Sequence, residues 1–327
     1  MRSALRTALG ALVTLLASSI AIFVALEASP GDAASRLAGS KATDAQIAVI
    51  RHANGLDQPL PLRYLHWLEG CLHGDFGLSL QYQQSVSSLL GPRVGQTLAL
   101  VGLTALLILV GGIGAGIAGA LSRPGSAALT MLSGVGVAVP SFVAATLLIQ
   151  VFALWLGWLP AISTGVGDVR GLILPALALA LSWAAYLSQV VRAALRESLS
   201  QEHVTIARSR GLSPVGVFRR HALRNAAPEI TTVSGLAVAG LIAGTVVVEQ
   251  AFGIGGLGSF LVQSVANKDS NVVLAISLLM VAAFIVTTTA TDLLHRALDP
   301  RIRAATAKAK TGAGPTAEAQ PRERQAR

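Results

Sequence analysis

Long apolar runs without a single charge alternate with polar segments along this chain. Six of them stand out, at residues 7–26, 94–122, 127–154, 172–191, 230–248 and 271–291. A helix needs about 20 mainly apolar residues to cross the roughly 30 Å hydrocarbon layer. The pattern therefore predicts an all-α membrane protein with six transmembrane helices. Arg2 and Arg6 precede the first run, as they would in a signal peptide. An apolar signal core is only about 7–15 residues long, so the first run reads as a span.

The runs carry their own detail. The second is rich in small residues (Gly102, Gly111, Gly112, Gly114, Gly116 and Gly119), which let helices approach closely in lipid. Pro140 predicts a kink in the third, and Pro175 lies near the start of the fourth. Trp155 and Trp158 mark an interface after the third run. Residues 27–93 are polar, mixed in charge and punctuated by Gly and Pro, which predicts an extramembrane segment with short helices. Tyr64, Trp67 and Phe76 are placed to anchor it at the interface. Residues 252–270 read as a Gly-rich loop or re-entrant segment. Residues 304–327 read as a disordered basic tail. The expected organisation is a first span at 1–26, an extracytoplasmic segment at 27–93, a five-span core at 94–303 and that tail.

Charge then orients the chain. Lys and Arg total 25 against 16 Asp and Glu, a net charge of +9. The N-terminal end, the turn at Arg123, the polar stretch between the fourth and fifth spans and the tail all fall on one side, and all are basic. Cytoplasmic loops carry such an excess, so both termini are expected in the cytoplasm of a multi-pass cell-membrane protein. No basic stretch is interleaved with stacking aromatics, so nucleic acid is not an expected partner; the lipid bilayer is.

The runs hold no Asp, Glu, Lys, Arg or His away from their ends, which argues against an ion-coupled carrier or an intramembrane enzyme. None of Lys41, Lys268, Lys308 and Lys310 follows a glycine, so there is no phosphate-cradling loop, and no cofactor motif is present. His66, Cys71 and His73 match no zinc spacing, and a lone cysteine forms no internal disulfide. A transporter with this sequence needs an energy source outside the chain. A stand-alone channel or secondary transporter is the alternative.

The longest polar stretch inside the core, about residues 192–229, contains QEHVTIARSRGLSP at 201–214 and is flanked by Arg192, Arg196, Arg219, Arg220 and Arg224. Ser198 or Ser200 is placed to cap a short helix whose first turn holds Glu202. Ala207 and Gly211 are four apart, which on a helix gives one flat face. Gly211 suits a left-handed helix end, and Ser213-Pro214 the start of a second helix. Two short helices at an angle would fit a socket; an ordinary positive-inside loop would explain the arginines equally well.

EHVTIARSRGL at 202–212 and RHALRN at 220–225 resemble the cytoplasmic EAA loop of binding-protein-dependent ABC importer permeases, in the wording of the dipeptide, oligopeptide and nickel group. PGD at 30–32, GLDQPL at 55–60, GDFGLS at 74–79, LILPALALA at 172–180, Glu249 with Gly256-Leu257-Gly258, and LDPRIR at 298–303 are similar to that group's other motifs. The resemblance implies a type I importer (MetI-like) permease fold. It implies that Glu202, Ala207, Arg208, Gly211 and Leu212 form a coupling helix docked on a separate cytoplasmic ABC ATPase. It also implies a second homologous permease as partner in a heterodimer, an extracytoplasmic solute-binding protein, and peptides or a related solute such as nickel as cargo. Gly255 stands where the group has Pro, and Pro228 lies one residue nearer Asn225 than the group's pattern has it.

Overall fold

The computed structural model describes residues 2–28, 33–39, 42–53, 55–122, 127–163 and 167–298. PGD at 30–32, the turn at Arg123 and the 299–327 tail lie outside them. Among the described residues the architecture is helical, with one isolated antiparallel bridge between Leu78 and Ser85. Helix α1 (Arg2–Ala28) is followed by three short helices, α2 (Ala33–Ala38), α3 (Asp44–Ala53) and α4 (Leu60–Leu72). Helices α5 (Val86–Leu107) and α6 (Ile113–Leu121) join through a π-helical turn at Ile108–Gly112 into one long rod. Then come α7 (Ala127–Ala138), α8 (Ser141–Leu148) with a π-helical extension at Ile149–Trp155, and the long α9 (Val169–Ser200). Two short helices, α10 (Glu202–Ser209) and α11 (Pro214–Val217), lead through a π-helical turn at Phe218–Ala222 into α12 (Leu223–Ala251). Helices α13 (Leu257–Asn267) and α14 (Ser270–Leu298) complete the described chain.

Five helical stretches are long and apolar enough to cross a membrane: Ala8–Ala28, Val86–Leu121, Val169–Ser200, Pro214–Ala251 and Ser270–Leu294. The third predicted span is the exception. It breaks at Pro140, with Met131–Ala138 and Ser141–Trp155 at 102° to each other. Pro140 cannot donate to the preceding turn and holds extended backbone (φ −62°, ψ 146°) as the cap of α8. The Val139 carbonyl left over by the break accepts from Ser182 Oγ of α9 at 2.6 Å. The expected kink is thus a sharp corner, a sixth span only if both arms are counted as one.

Helix α9 is the centre of the core, packing against α5, α6, α7, α8 and α12. Leu174, Leu179, Leu187, Val191 and Leu195 are buried along it, together with Leu100, Ile108 and Leu241 from its neighbours. Gly116 lets α6 approach α9 closely: a Cβ there would lie 2.5 Å from the Val191 Cβ. Gly102, Gly111 and Gly114 face open space, so only part of the glycine pattern serves packing. Helix α1 packs along α14 and is tied to α4 by a Ser19–Tyr64 hydroxyl pair at 2.8 Å and by Arg63 to Glu27 at 2.9 Å.

Candidate functional site

Gln201 is extended (φ −70°, ψ 147°) and turns the chain out of α9 into α10. Neither serine predicted to cap α10 does so. Ser200 Oγ donates to the Glu197 carbonyl at 2.8 Å, and Ser198 is buried with its Oγ 3.5 Å from the His221 carbonyl. Both lie inside the last turns of α9, which runs further than the polarity change suggested. Glu202 opens α10, favourably placed at the positive end of the helix dipole. Gly211 follows the helix with φ +80°, the left-handed conformation that costs non-glycine residues most. Its N–H donates to the Arg208 carbonyl at 3.0 Å, and the Leu212 N–H to the Ala207 carbonyl at 3.3 Å. Ser213 Oγ accepts from the Gly216 N–H at 3.2 Å, with Pro214 as the first residue of α11.

The two short helices share a small core of their own. Val204, Ala207 and Val217 are buried against one another, with Leu199 and Leu212 packed beside them. Ala207 therefore points inward, and the flat face expected from Ala207 and Gly211 does not form. Once α10 ends at Ser209, the left-handed turn takes Gly211 off the helix, and the four-residue spacing no longer places the two side by side. The outer surface consists instead of exposed Glu202, Thr205, Arg208, Arg210 and Gly211, with two exposed apolar side chains, Ile206 and Val215. Sequence reasoning passed over these last two; an exposed Ile and Val in a short polar stretch were the signal available. Asn225 Nδ2, at the root of α12, lies 3.2 Å from His203 Nε2 and ties α10 to that helix.

What makes this pair a candidate device is its attachment. From Pro214 to Ala251 the backbone is one continuous helical run of 38 residues. It passes through Pro228 without a break, so the shifted proline does not disturb the start of the fifth span. At the far end of the run Glu249 is fully buried. Its carboxylate accepts from Thr97 Oγ1 at 2.7 Å and from the Ser259 N–H at 3.0 Å, while Thr97 Oγ1 accepts from the Leu257 N–H at 2.8 Å. A helix N-terminus leaves its first N–H groups without partners, and Glu249 with Thr97 supplies them for α13. Gly256 and Gly258 leave room for this: a Cβ on Gly256 would run into the Glu249 carboxylate, and one on Gly258 would lie 2.5 Å from Val246 Cα. Of the two readings of 252–270, a plain loop is excluded: Leu257–Asn267 is a capped helix, which leaves the re-entrant alternative open. A turn at 77–86 clasps the α13–α14 junction, with Ser79 Oγ donating to buried Asp269 at 2.5 Å and Asn271 Nδ2 to the Leu78 carbonyl at 2.8 Å. Among the described residues no three His, Cys, Asp or Glu side chains group as metal ligands.

The sequence pattern of the binding-protein-dependent transport system inner membrane component matches residues 81–304, and that of the family's N-terminal membrane component matches residues 1–101. The chain belongs to this family. A probable peptide ABC transporter permease, y4tP of Sinorhizobium fredii (strain NBRC 101917 / NGR234), is 33% identical over 307 residues, covering 91% of this chain and 98% of its own. The glutathione transport system permease GsiC of Escherichia coli (strain K12) is 36% identical over 298 residues, covering 90% and 96%. In fold, the permease is similar to an inward-facing form of the MetNI methionine ABC transporter, with a TM-score of 0.52 at 20% identity over 64% of this chain and 96% of that one. An amino acid ABC transporter solved with histidines gives a TM-score of 0.52 at 18% identity, over 64% and 94%. The chain is thus a multi-pass membrane permease subunit of an ABC importer, with the type I (MetI-like) fold. Membership implies ATPase subunits and a solute-binding protein as partners.

Proposed function

We propose that this permease imports a short peptide or a peptide-like solute such as glutathione, powered by ATP hydrolysis on a separate cytoplasmic chain that docks on α10 and α11. The solute reading follows the relatives, whose names cite peptide and glutathione transport. The observation that carries the docking reading is the continuity of α11, against which α10 packs, with the 38-residue run. At 1.5 Å per residue that run is about 57 Å long, enough to span the membrane and to reach the segment capped by Glu249. Displacement of the pair would be delivered along this rod, because a packed helix moves more readily as a body than it deforms. Exposed Ile206 and Val215 supply an apolar centre, and Glu202, Arg208 and Arg210 a polar rim, as in a protein–protein contact. Both termini are assigned to the cytoplasm, and a second, homologous permease completes the pathway as a heterodimer.

Gly211→Asp tests the coupling. Asp tolerates the left-handed region better than most residues, so the substitution chiefly adds a charge to the docking surface. We expect normal membrane insertion, loss of ATPase co-purification and uptake reduced at least about tenfold, the equivalent of about 1.4 kcal/mol of lost contact. Full uptake by the variant would remove the docking reading, and solute flux through liposomes containing this chain alone would replace it with a channel.

A further inference from the structure

Where the end of α1, one face of α4 and the start of α14 meet, the chain forms a half-open cavity of about 390 Å³, lined by Phe23, Glu27, Arg63, Trp67, Asn271 and Leu274 among others. It is remote in sequence from the helix pair and takes no part in the coupling reading. Arg63 and Trp67 are four apart on α4, so they share a face. The Arg63 side chain is only 16% exposed, yet among the described residues its one hydrogen bond goes to Glu27 Oε1. Trp67 Nε1 is buried and has no hydrogen-bond partner. A buried donor without an acceptor is costly, so Trp67 Nε1 calls for an acceptor oxygen, and the guanidinium four residues away on the same face favours an anionic one.

Position narrows the occupant. The apolar window of α1 closes at Ala28 and that of α14 opens at Ser270, so the cavity lies at the level where span ends meet lipid headgroups. Phe23, Leu26 and Leu274 form its apolar wall. Ile20 and Val24, on the flank of α1 leading away from it, are exposed.

We propose that this cavity binds the headgroup of a phospholipid carrying both a phosphate and a primary amine, as in phosphatidylethanolamine. The phosphate oxygens accept from the Arg63 guanidinium, whose fork suits them, and from Trp67 Nε1. The ammonium donates to Glu27 Oε2, and the acyl chains descend beside Ile20 and Val24. Glu27 and Arg63 together are neutral, so an anionic lipid would leave the Glu27 charge unanswered, and a choline headgroup has no N–H to donate.

The test uses the whole transporter, purified with its partner subunits from nanodiscs of equal phosphatidylethanolamine, phosphatidylglycerol and phosphatidylcholine, with bound lipid counted by native mass spectrometry. The expected result is selective retention of phosphatidylethanolamine. Arg63→Gln is expected to reduce it about tenfold or more, and Trp67→Phe, which keeps the ring and removes only the N–H, severalfold with an unchanged melting temperature. Retention of the other two lipids at the same level overturns the proposal. So does equal retention by wild type and both variants. Displacement of the lipid by a dipeptide overturns it too, and assigns the cavity to solute.

Discussion

A carboxylate buried as completely as that of Glu249 is tolerated only when its oxygens are hydrogen-bonded. Thr97 and the Ser259 N–H meet that need, and in return Glu249 completes the start of α13. Glu249→Ala strands buried donors at about 1–3 kcal/mol each. A clearly lower melting temperature of the purified transporter is therefore expected, with a smaller drop for Glu249→Gln, which keeps one acceptor. Exposed Glu229→Ala serves as the silent control. Cys71 behaves in the opposite way. Burial first, and the nearby Asp75 charge second, push its thiol up to about 11. The thiolate is the reactive form, so about one thiol in 10,000 is ionised at pH 7. Maleimide labelling of the folded permease should be slow at neutral pH and rise about tenfold per pH unit up to that value. In urea the thiol should label readily near its ordinary pKa; fast labelling of the folded permease at pH 7 would contradict this environment.

Single elements show where the chain was legible and where it was not. The apolar runs announced the helices because span length and hydropathy are properties of one segment. Pro140 announced a break but not its angle. The 102° corner depends on Ser182, 43 residues away in the sequence, accepting the role of donor to Val139. The glycine-dense 252–270 segment read as a loop or re-entrant segment, with no helix start marked, because the group that caps α13 belongs to another helix. In the 201–214 stretch, Gly211 acts through its own backbone and Ser213 through an Oγ contact three residues on, so both were readable. Ala207 was not, since its neighbour Val217 comes from the following helix. The same limit applies to Gly116, which looks like any other glycine of its run but abuts Val191. Gly116→Val should force α6 and α9 apart, at about 1–3 kcal/mol for overpacking. Reduced yield of intact transporter on size-exclusion chromatography is the expected sign, with Gly114→Ala near normal because open space surrounds it.

On the scale of the molecule, the permease is a helical core around α9 with devices at both ends of one rod. One end carries the α10–α11 pair with its own small apolar centre; the other end is locked by hydrogen bonds to α5 and α13. Under the proposed docking, motion introduced at α10 and α11 would reach a rigid assembly rather than a loose loop. A variant that loosens the far lock should uncouple the ends. Thr97→Val, which removes both the donor to Glu249 and the acceptor for Leu257, is expected to leave ATPase activity of the whole transporter in place while lowering uptake. Parallel loss of both activities would instead mean that the lock merely supports folding.

The packing of α1 along α14 also has a consequence for how the protein is made. The first span leaves the ribosome long before α14 exists and must wait in the bilayer, held meanwhile by what α4 offers through Tyr64 and Arg63. The bundle closes against α1 only once α14 has been made. A nascent chain interrupted before Ser270 would display an unpaired α1 flank to the membrane, and that flank is what a quality-control protease could recognise as unfinished work.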